Sequence, residues 1–371
     1  MDAYLTALIA ELAAYEKAVG FDKLQTIYIG GGTPTVLTVE QLDRLFTYLH
    51  SVIKFCDLKE VSIEANPESL NDTHKVACLK RNGVTRISLG VQTFQEEHLR
   101  VLQRSHTKKD ICEVVALLRE ENFEINLDMI YAIPSQTLEE WEKDLEQLLQ
   151  LPITHVSAYS LILETHTKFY NDYIKNKLQL VDNEIEARMF ELVIDKLTRA
   201  GFEHYEISNF TKDKKSAHNM MYWKNEYYIG VGLGSHGHLA RTPEVTALLK
   251  SGASNTVQEI ENGSNSIRYE NTRSMTAYKK ALETGALPVL SWHLLTCDEQ
   301  IETSMFLGMR LMEGVNLDHL QAKYRVNIYE LYKPKLDQLC HLGYVSLKSR
   351  VLRLTQKGLM MANDVFEEFL L

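Results

Sequence analysis

Residues 25–34 read Gln-Thr-Ile-Tyr-Ile-Gly-Gly-Gly-Thr-Pro, a short apolar strand that runs directly into three glycines and a threonine. Glycines at the end of a strand let the backbone turn tightly and let its amides approach a ligand closely. Taken alone, the stretch also fits a tight turn between a strand and a helix that binds nothing. No Gly-Lys-Ser/Thr follows, so the stretch does not predict a Walker-type nucleotide site.

The pattern of an apolar strand followed by an amphipathic helix recurs along the chain. Capping residues such as Thr107 and Thr137 mark the starts of the helices. The predicted strands are Gln25–Ile29, Glu60–Glu64, Arg86–Leu89, Glu124–Asp128 and His155–Tyr159. Five successive strand–helix units predict a mostly parallel sheet covered by helices, either doubly wound or barrel-like.

Polar residues and glycines collect where these strands end. Glu64 ends the second strand, Gly90-Val91-Gln92 follows the third, and Asp128 ends the fourth. Because barrel enzymes carry their chemistry on loops at the carboxyl ends of the strands, this placement favours a barrel. A carboxylate at a buried strand tip is costly unless it meets a partner or a ligand, which makes Glu64 and Asp128 candidate binding residues. Either carboxylate can instead simply cap the next helix.

Composition and charge limit the function classes. The 371 residues are 45% hydrophobic and 24% charged, which is typical of a globular chain of about two domains. The formal net charge of −10 argues against a broad nucleic-acid surface, so we expect no nucleic-acid partner. No apolar run reaches membrane-spanning length and the first residues form an amphipathic helix, so we expect a cytoplasmic protein.

The five cysteines are widely spaced and odd in number. This pattern predicts reduced thiols in the core rather than disulfides, with Cys56 and Cys112 at helix-core positions. No two cysteines have the spacing of metal ligands.

Residues 232–237, Gly-Leu-Gly-Ser-His-Gly, fit the dinucleotide-binding fingerprint by letter. No helical periodicity opens at the third glycine and Pro243 follows soon after, so we interpret the segment as a tight loop.

From about Ser274 the chain changes to three helices followed by a pair of short strands, which is the order of elements in a winged helix. In isolation this order suggests a DNA reader. The basic residues Arg310, Lys335 and Lys348 are scattered, however, so we expect no DNA binding.

Several motifs together resemble one known family. Gly31-Gly32-Thr33-Pro34, residues 62–67, Gly90–Phe94, Arg104 and Asp128–Tyr131 are similar to the successive motifs of the oxygen-independent coproporphyrinogen oxidase family. The resemblance covers almost the whole chain. The run His218-Asn219-Met220-Met221-Tyr222-Trp223 resembles the His-Asn-x-x-Tyr-Trp motif of the HemW-type heme chaperones, which indicates that branch of the family.

The resemblance implies a fold and a cofactor site. It implies an α/β chain with a partial (β/α)6 radical S-adenosylmethionine (SAM) barrel at residues 1–240 that lacks the family's first strand. A connecting segment at 241–273 and a mainly helical, winged-helix-like C-terminal domain at 274–371 would follow. Carried over from the family, the SAM-contacting residues are Gly31, Gly32, Thr33, Glu64, Gln92, Arg104, Asp128 and Ser160. Carboxylates suit ribose hydroxyls and an ammonium, and an arginine suits a carboxylate.

The same resemblance implies a heme site at the His218 motif. His218 would ligate the heme iron while Tyr222 and Trp223 cover the macrocycle, with His236 and His238 as alternative ligands. Without the resemblance, His218 reads as an ordinary surface histidine and the two aromatic residues as core anchors.

The family normally carries a Cys-x-x-x-Cys-x-x-Cys loop just before the helix that starts here at Asp2. Its three thiolates hold the 4Fe–4S cluster that takes part in SAM cleavage. This sequence contains no such loop, so we expect no radical generation by these residues. Both an internal start at Met1 and a naturally shortened form fit the sequence.

The leading function hypothesis is therefore a heme chaperone that binds heme and transfers it to an acceptor hemoprotein. Any membrane association would be transient and through the acceptor. The alternative is an oxygen-independent coproporphyrinogen III oxidase, which decarboxylates two propionates to give protoporphyrinogen IX. A heme-responsive regulator that binds DNA is a third hypothesis.

Overall fold

A computed structural model describes residues 1–165, 167–175, 177–252 and 265–371. The chain divides into two compact units. Residues 26–39 and 59–217 form the parallel-sheet unit, and residues 1–25, 40–58 and 218–371 form the terminal unit.

The described strands are, in chain order, β1 Thr26–Ile29, β2 Glu60–Ala65, β3 Arg86–Gln92, β4 Glu124–Tyr131, β5 His155–Ser160, β6 Glu203–Glu206, β7 Asn209–Thr211, β8 His236–Ala240, β9 Ser266–Asn271, β10 Val289–Leu294, β11 Val315–Asn316, β12 Val345–Lys348 and β13 Val351–Leu354. The described helices are α1 Asp2–Val19, α2 Val39–Val52, α3 Pro67–Leu70, α4 Thr73–Arg81, α5 Glu96–Val101, α6 Lys108–Glu120, α7 Leu138–Leu149, α8 Lys168–Ile174, α9 Asn183–Arg199, α10 Ala217–Trp223, α11 Pro243–Lys250, α12 Met275–Glu283, α13 Cys297–Gly308, α14 Leu317–Tyr324, α15 Ile328–His341, α16 Gln356–Met360 and α17 Ala362–Glu367.

The parallel-sheet unit is built on an open sheet in the order β1-β2-β3-β4-β5-β7-β6. Strands β1 to β5 pair in parallel, which confirms the predicted strand–helix units, and β7 pairs antiparallel to β5. The predicted caps of α6 and α7 are confirmed as well, since Thr107 and Thr137 both form capping boxes. The carboxyl ends of β1 to β4 therefore lie along one edge, where the candidate residues were expected to meet.

The terminal unit contains an antiparallel sheet in the order β10-β9-β8, which sequence periodicity did not predict. Helix α1 packs against α11 and α12 beside it. Glu11 of α1 is fully buried and accepts hydrogen bonds from the Gly232 N–H at 2.9 Å, the Asn271 Nδ2 at 2.6 Å and the Tyr278 hydroxyl. Residues 232–235 form a loop, as predicted, but His236 and Gly237 already belong to strand β8, and no helix follows them directly.

The C-terminal part of the terminal unit has the expected winged-helix order. Helices α13, α14 and α15 precede the hairpin of β12 and β13, to which β11 adds a third strand. Two short helices, α16 and α17, follow the hairpin. The domain boundaries at residues 240 and 273 stay a prediction, and residues 253–264 of the connecting segment lie outside the described residues.

The cysteines are free, as predicted, but most of them are not core residues. Only Cys78 is buried, Cys112 is half-buried, and Cys56, Cys297 and Cys340 are exposed. The helix-core prediction for Cys56 is wrong because this residue lies in a single 3-10 turn, Phe55–Asp57, with no face against the core. Among the described helices, none is long and apolar enough to cross a membrane.

Candidate functional site

Glu64 at the tip of β2 binds the glycine loop. Its Oε2 accepts hydrogen bonds from the N–H groups of Gly31 and Gly32 at 3.1 and 3.3 Å, and its Oε1 accepts one from the Tyr28 hydroxyl at 2.6 Å. A Cβ at Gly30 would lie 2.5 Å from the Glu64 carboxylate, so glycine is needed there for this close approach. The capping alternative for Glu64 is wrong, because Asn66 caps the helix that follows.

Asn66 joins two of the predicted residues. Its Nδ2 donates to Thr33 Oγ1 at 2.9 Å, and its Oδ1 accepts from Arg104 Nη1 at 3.2 Å. A side chain at Gly90 would collide with Asn66 Oδ1 and with the Gln92 side-chain amide. Thr33, Arg104 and Gln92 therefore meet around Asn66, which we had not predicted as a site residue. Its position directly behind a strand tip was the signal.

Gln92 has an unusual backbone. The residue is buried and has a φ of 69°, in the left-handed region, where the pairing of β3 with β4 shifts register between Gly90 and Gln92. A non-glycine residue in this region costs about 1–3 kcal/mol, and such positions cluster at functional sites. The bulge lies beside the tips of β2 and β4.

Asp128 on β4 is the second carboxylate of this edge. Ser88 Oγ donates to its Oδ2 and Asn126 Nδ2 to its Oδ1, both at 2.8 Å. Burial raises the pKa of Asp128 to about 6, the hydrogen bonds oppose this shift, and the charge of Glu64 adds to it. The registers pair Glu64 with Ser88 and Gly90 with Asp128, so both carboxylates face the same side of the sheet.

Ser160 lies apart from this group. It ends β5, and its hydroxyl donates to Glu186 on α9. Nothing in the sequence around Glu186 marked this carboxylate as a partner, because the two residues are 26 positions apart.

His218 lies in the terminal unit, on helix α10, which the sequence pattern did not predict. Side chains four positions apart share a helix face. His218 Nε2 accordingly lies 3.3 Å from the Tyr222 hydroxyl, and the two rings meet edge to face with centroids 5.0 Å apart. The Tyr222 ring meets Tyr228 in the same way at 4.6 Å.

Trp223 points elsewhere, since five positions turn a helix by about 140° relative to His218. The guanidinium carbon of Arg310 lies 4.7 Å from its ring centroid. The structure thus brings His218 and Tyr222 together and places Trp223 beside Arg310. Of the alternative ligands, His236 is exposed and His238 is buried next to the Tyr227 ring.

A 4Fe–4S cluster of this family needs three thiolates that lie close together. No three His, Cys, Asp or Glu side chains within the described residues come together as a metal-binding group. The five free cysteines of this sequence do not supply a three-thiolate set. The described residues therefore do not fit an iron–sulfur cluster.

Sequence profiles of two known families match the chain. The Radical SAM superfamily matches residues 5–148, and the HemN C-terminal domain matches residues 295–361. The first match contains Glu64, Gln92, Arg104 and Asp128. The second lies within the winged-helix-like region.

Characterised proteins resemble the chain along its length. It is 37% identical to the heme chaperone HemW of Lactococcus lactis over 373 aligned positions, covering all of this chain and 90% of the relative. The heme chaperone HemW of Bacillus subtilis is also 37% identical, with 92% of the relative covered. The solved structure of Escherichia coli coproporphyrinogen III oxidase, a radical SAM enzyme, superposes with a TM-score of 0.80 and 20% identity over the whole chain and 83% of that protein. This likeness confirms the predicted fold.

Proposed function

Because the chain belongs to the HemW family of heme chaperones, we propose that it binds heme as cargo and passes it to an acceptor hemoprotein. The His218–Tyr222 pair is the observation that carries the proposal. A histidine that ligates heme iron needs a fixed ring plane and a defined tautomer. Tyr222 supports a fixed ring plane, because its hydroxyl lies 3.3 Å from Nε2 while its ring stands at 84° to the imidazole.

The aromatic surroundings of His218 suit a flat, apolar macrocycle. The edge-to-face series of His218, Tyr222 and Tyr228 presents ring surface along one side of α10. Aromatic surface buries a large apolar area at a low cost in conformational entropy. We keep Trp223 in the proposed heme-binding set because the guanidinium of Arg310 brings positive charge close to its indole ring.

We further propose that SAM binds at the strand tips, at Gly31, Gly32, Thr33, Glu64, Gln92, Arg104, Asp128 and Ser160. Hydrogen-bond acceptors at Glu64 and Asp128 suit hydroxyl and ammonium groups, and Arg104 suits a carboxylate. Beside an iron–sulfur cluster, SAM supplies radical chemistry. Since the described residues do not fit a cluster, no reaction step is assigned to them.

The alternative function receives no separate support. Coproporphyrinogen III oxidase shares the fold at 20% identity, which says nothing about substrate. The acceptor hemoprotein, transient membrane association through it and the cytoplasmic location stay predictions.

Heme titration tests the proposal. Ferric heme is added to the wild-type chain and to His218→Ala, and the absorbance spectrum is followed. We expect saturation near one equivalent and, in the variant, loss of the axial-ligand spectrum with at least about tenfold weaker binding, or about 1.4 kcal/mol. His319→Ala, which removes an exposed histidine of the same unit that has no proposed role in heme binding, is the matched control and should bind like the wild type. No saturable binding by the wild-type chain would overturn the proposed function.

A further inference from the structure

Four side chains of the terminal unit lie in one row across the antiparallel sheet. Tyr228 pairs with His238, His238 pairs with Arg268 on β9, and Arg268 pairs with His293 on β10. Directly opposed residues on neighbouring strands project to the same face of a sheet. The register alone therefore places two histidines, a tyrosine and an arginine side by side.

Two members of this row have buried nitrogens without a matching acceptor. His238 is 3% exposed, and among the described residues its ring nitrogens have no hydrogen bond of good geometry, although the backbone of Glu226 lies close enough to raise its pKa. The Nε of Arg268 is also buried and unmatched, and its Nη2 reaches only Thr303 Oγ1 at 3.4 Å. A buried donor left unmatched costs about 1–3 kcal/mol, so such groups call for a partner.

A second unmatched pair lies next to the row. The indole Nε1 of Trp223 and the Nε of Arg310 are both buried without an acceptor, although the guanidinium lies over the indole ring. Helix α13 connects the two pairs. Its Thr303 contacts Arg268, and its neighbour Ser304 accepts a hydrogen bond at 3.0 Å from Asn225, two positions after Trp223.

Both charges that shift the pKa of His238 are positive. Burial lowers the pKa of His238 to about 4, and the positive charges of Arg268 and Lys323 lower it further, against the backbone of Glu226, which raises it. Within the described part of the chain, no carboxylate pairs with Arg268 or Arg310. A concentration of unpaired cations in a chain of net charge −10 is a local feature that an anion would stabilise.

We propose that Arg268, His238, Arg310 and Trp223, the donor cluster, form a carboxylate-binding site for the two propionates of heme. The inference rests on the proposed function and deepens it. Guanidinium, imidazole and indole N–H groups are donors that match carboxylate oxygens, and arginine does so with a planar fork. One propionate would bind to His238 and Arg268, and the other to Trp223 and Arg310. Ring contacts through Tyr222 and Tyr228 connect the cluster to His218.

The test compares heme with heme dimethyl ester, in which both propionates are methylated and uncharged. Binding of each compound to the wild-type chain, Arg268→Gln and Arg268→Lys is followed by absorbance. We expect Arg268→Gln to weaken heme binding about 10- to 100-fold, the range for a hydrogen bond to a charged group, and to leave binding of the ester unchanged. Arg268→Lys should recover part of the loss, because it keeps the charge without the planar fork.

Arg350→Gln is the matched control, since Arg350 belongs to the same unit and already pairs with Asp318 at 3.1 Å. Arg350→Gln should change neither the affinity for heme nor the affinity for heme dimethyl ester. The melting temperature of Arg268→Gln without ligand should equal or exceed that of the wild type, which shows that the variant folds. Equal heme affinity in Arg268→Gln and the wild type would overturn the inference and assign water to these donors. Failure of the wild-type chain to bind heme would instead overturn the proposed function.

Discussion

The strand tips of the parallel-sheet unit and the donor cluster of the terminal unit differ in whether their polar groups have hydrogen-bond partners within the protein. At the strand tips, Glu64 accepts two glycine amides and Asp128 accepts Ser88 and Asn126, so the carboxylates are satisfied by neutral donors of the protein. In the donor cluster, Arg268 and Arg310 each keep a buried nitrogen with no acceptor. The carboxylates at the strand tips thus have neutral donors from the protein, whereas no carboxylate of the described residues pairs with Arg268 or Arg310.

The largest effect should come from Arg86, which has two carboxylate partners, although its Nη1 is also buried without an acceptor among the described residues. Arg86 is buried and pairs with Glu60 at 3.1 Å and with Glu124 at 2.8 Å. We expect Arg86→Gln to lower the free energy of unfolding by about 3–5 kcal/mol, because Glu60 is left as a buried charge without its cation. Urea denaturation followed by circular dichroism measures this cost. The contrast between the two regions breaks down if Arg86→Gln is no more destabilising than Arg268→Gln.

The next largest effect should be a pH dependence of stability that comes from Glu11. This carboxylate of the terminal unit accepts hydrogen bonds from neutral donors. Burial raises its pKa from 4.5 to about 7, against the hydrogen bonds of Tyr278, Gly232 and Asn271. Between these values the folded chain holds a proton that the unfolded chain has released. The free energy of unfolding therefore falls as the pH rises through this interval, by ~3 kcal/mol at most from this group.

Denaturation at pH 5 and at pH 7.5 measures this dependence in the wild type and in Glu11→Gln. The glutamine keeps the size of the side chain and cannot ionise. We expect the variant to gain stability relative to the wild type at the higher pH. A difference between the two proteins that is the same at both pH values would contradict the assignment.

The smallest effect should be on SAM binding. Glu64→Gln replaces a carboxylate that holds the Gly31 and Gly32 amides and faces the side of the sheet where the SAM contacts are proposed. We expect about tenfold weaker SAM binding by calorimetry, with little loss of stability because the amide oxygen can still accept one hydrogen bond. Glu139→Gln, an exposed change on α7, is the control. Unchanged affinity would remove Glu64 from the proposed SAM site.

The sequence predicted the parallel strands and their helices to within a few residues because those signals are local. Alternation of apolar strands with capped helices is visible in runs of ten residues, and Thr107 and Thr137 begin their capping boxes as expected. Helix α10 was missed because it is a single seven-residue piece with no buried residue to give it a periodicity. Strands β8 to β10 were missed for a related reason, since β8 contains two histidines and two small residues among its five positions.

The residues of the candidate site likewise divide into those with a local sequence signal and those without one. Residues at strand tips were found because the position of a tip is a local property. Asn66 and Tyr28 were missed as partners, since their contacts join residues more than 30 positions apart. The motif at His218 was found only through its resemblance to a family. The donor cluster has no counterpart in the sequence pattern, because pairing across β8, β9 and β10 is what brings its members together.

The contacts of Glu11 also determine when helix α1 can pack against its final partners during synthesis. The Gly232 N–H lies 221 positions after Glu11, and the Tyr278 hydroxyl lies 267 positions after it. At the usual rate of translation, about 5–20 residues per second, the buried face of α1 waits on the order of 10 to 50 seconds for these partners. During that time Leu5 and Tyr15 are apolar surface on a nascent chain, and the parallel-sheet strands are all synthesised before α1 can pack. Helix α1 is synthesised before the other described helices and is thus among the last of them to reach its final place.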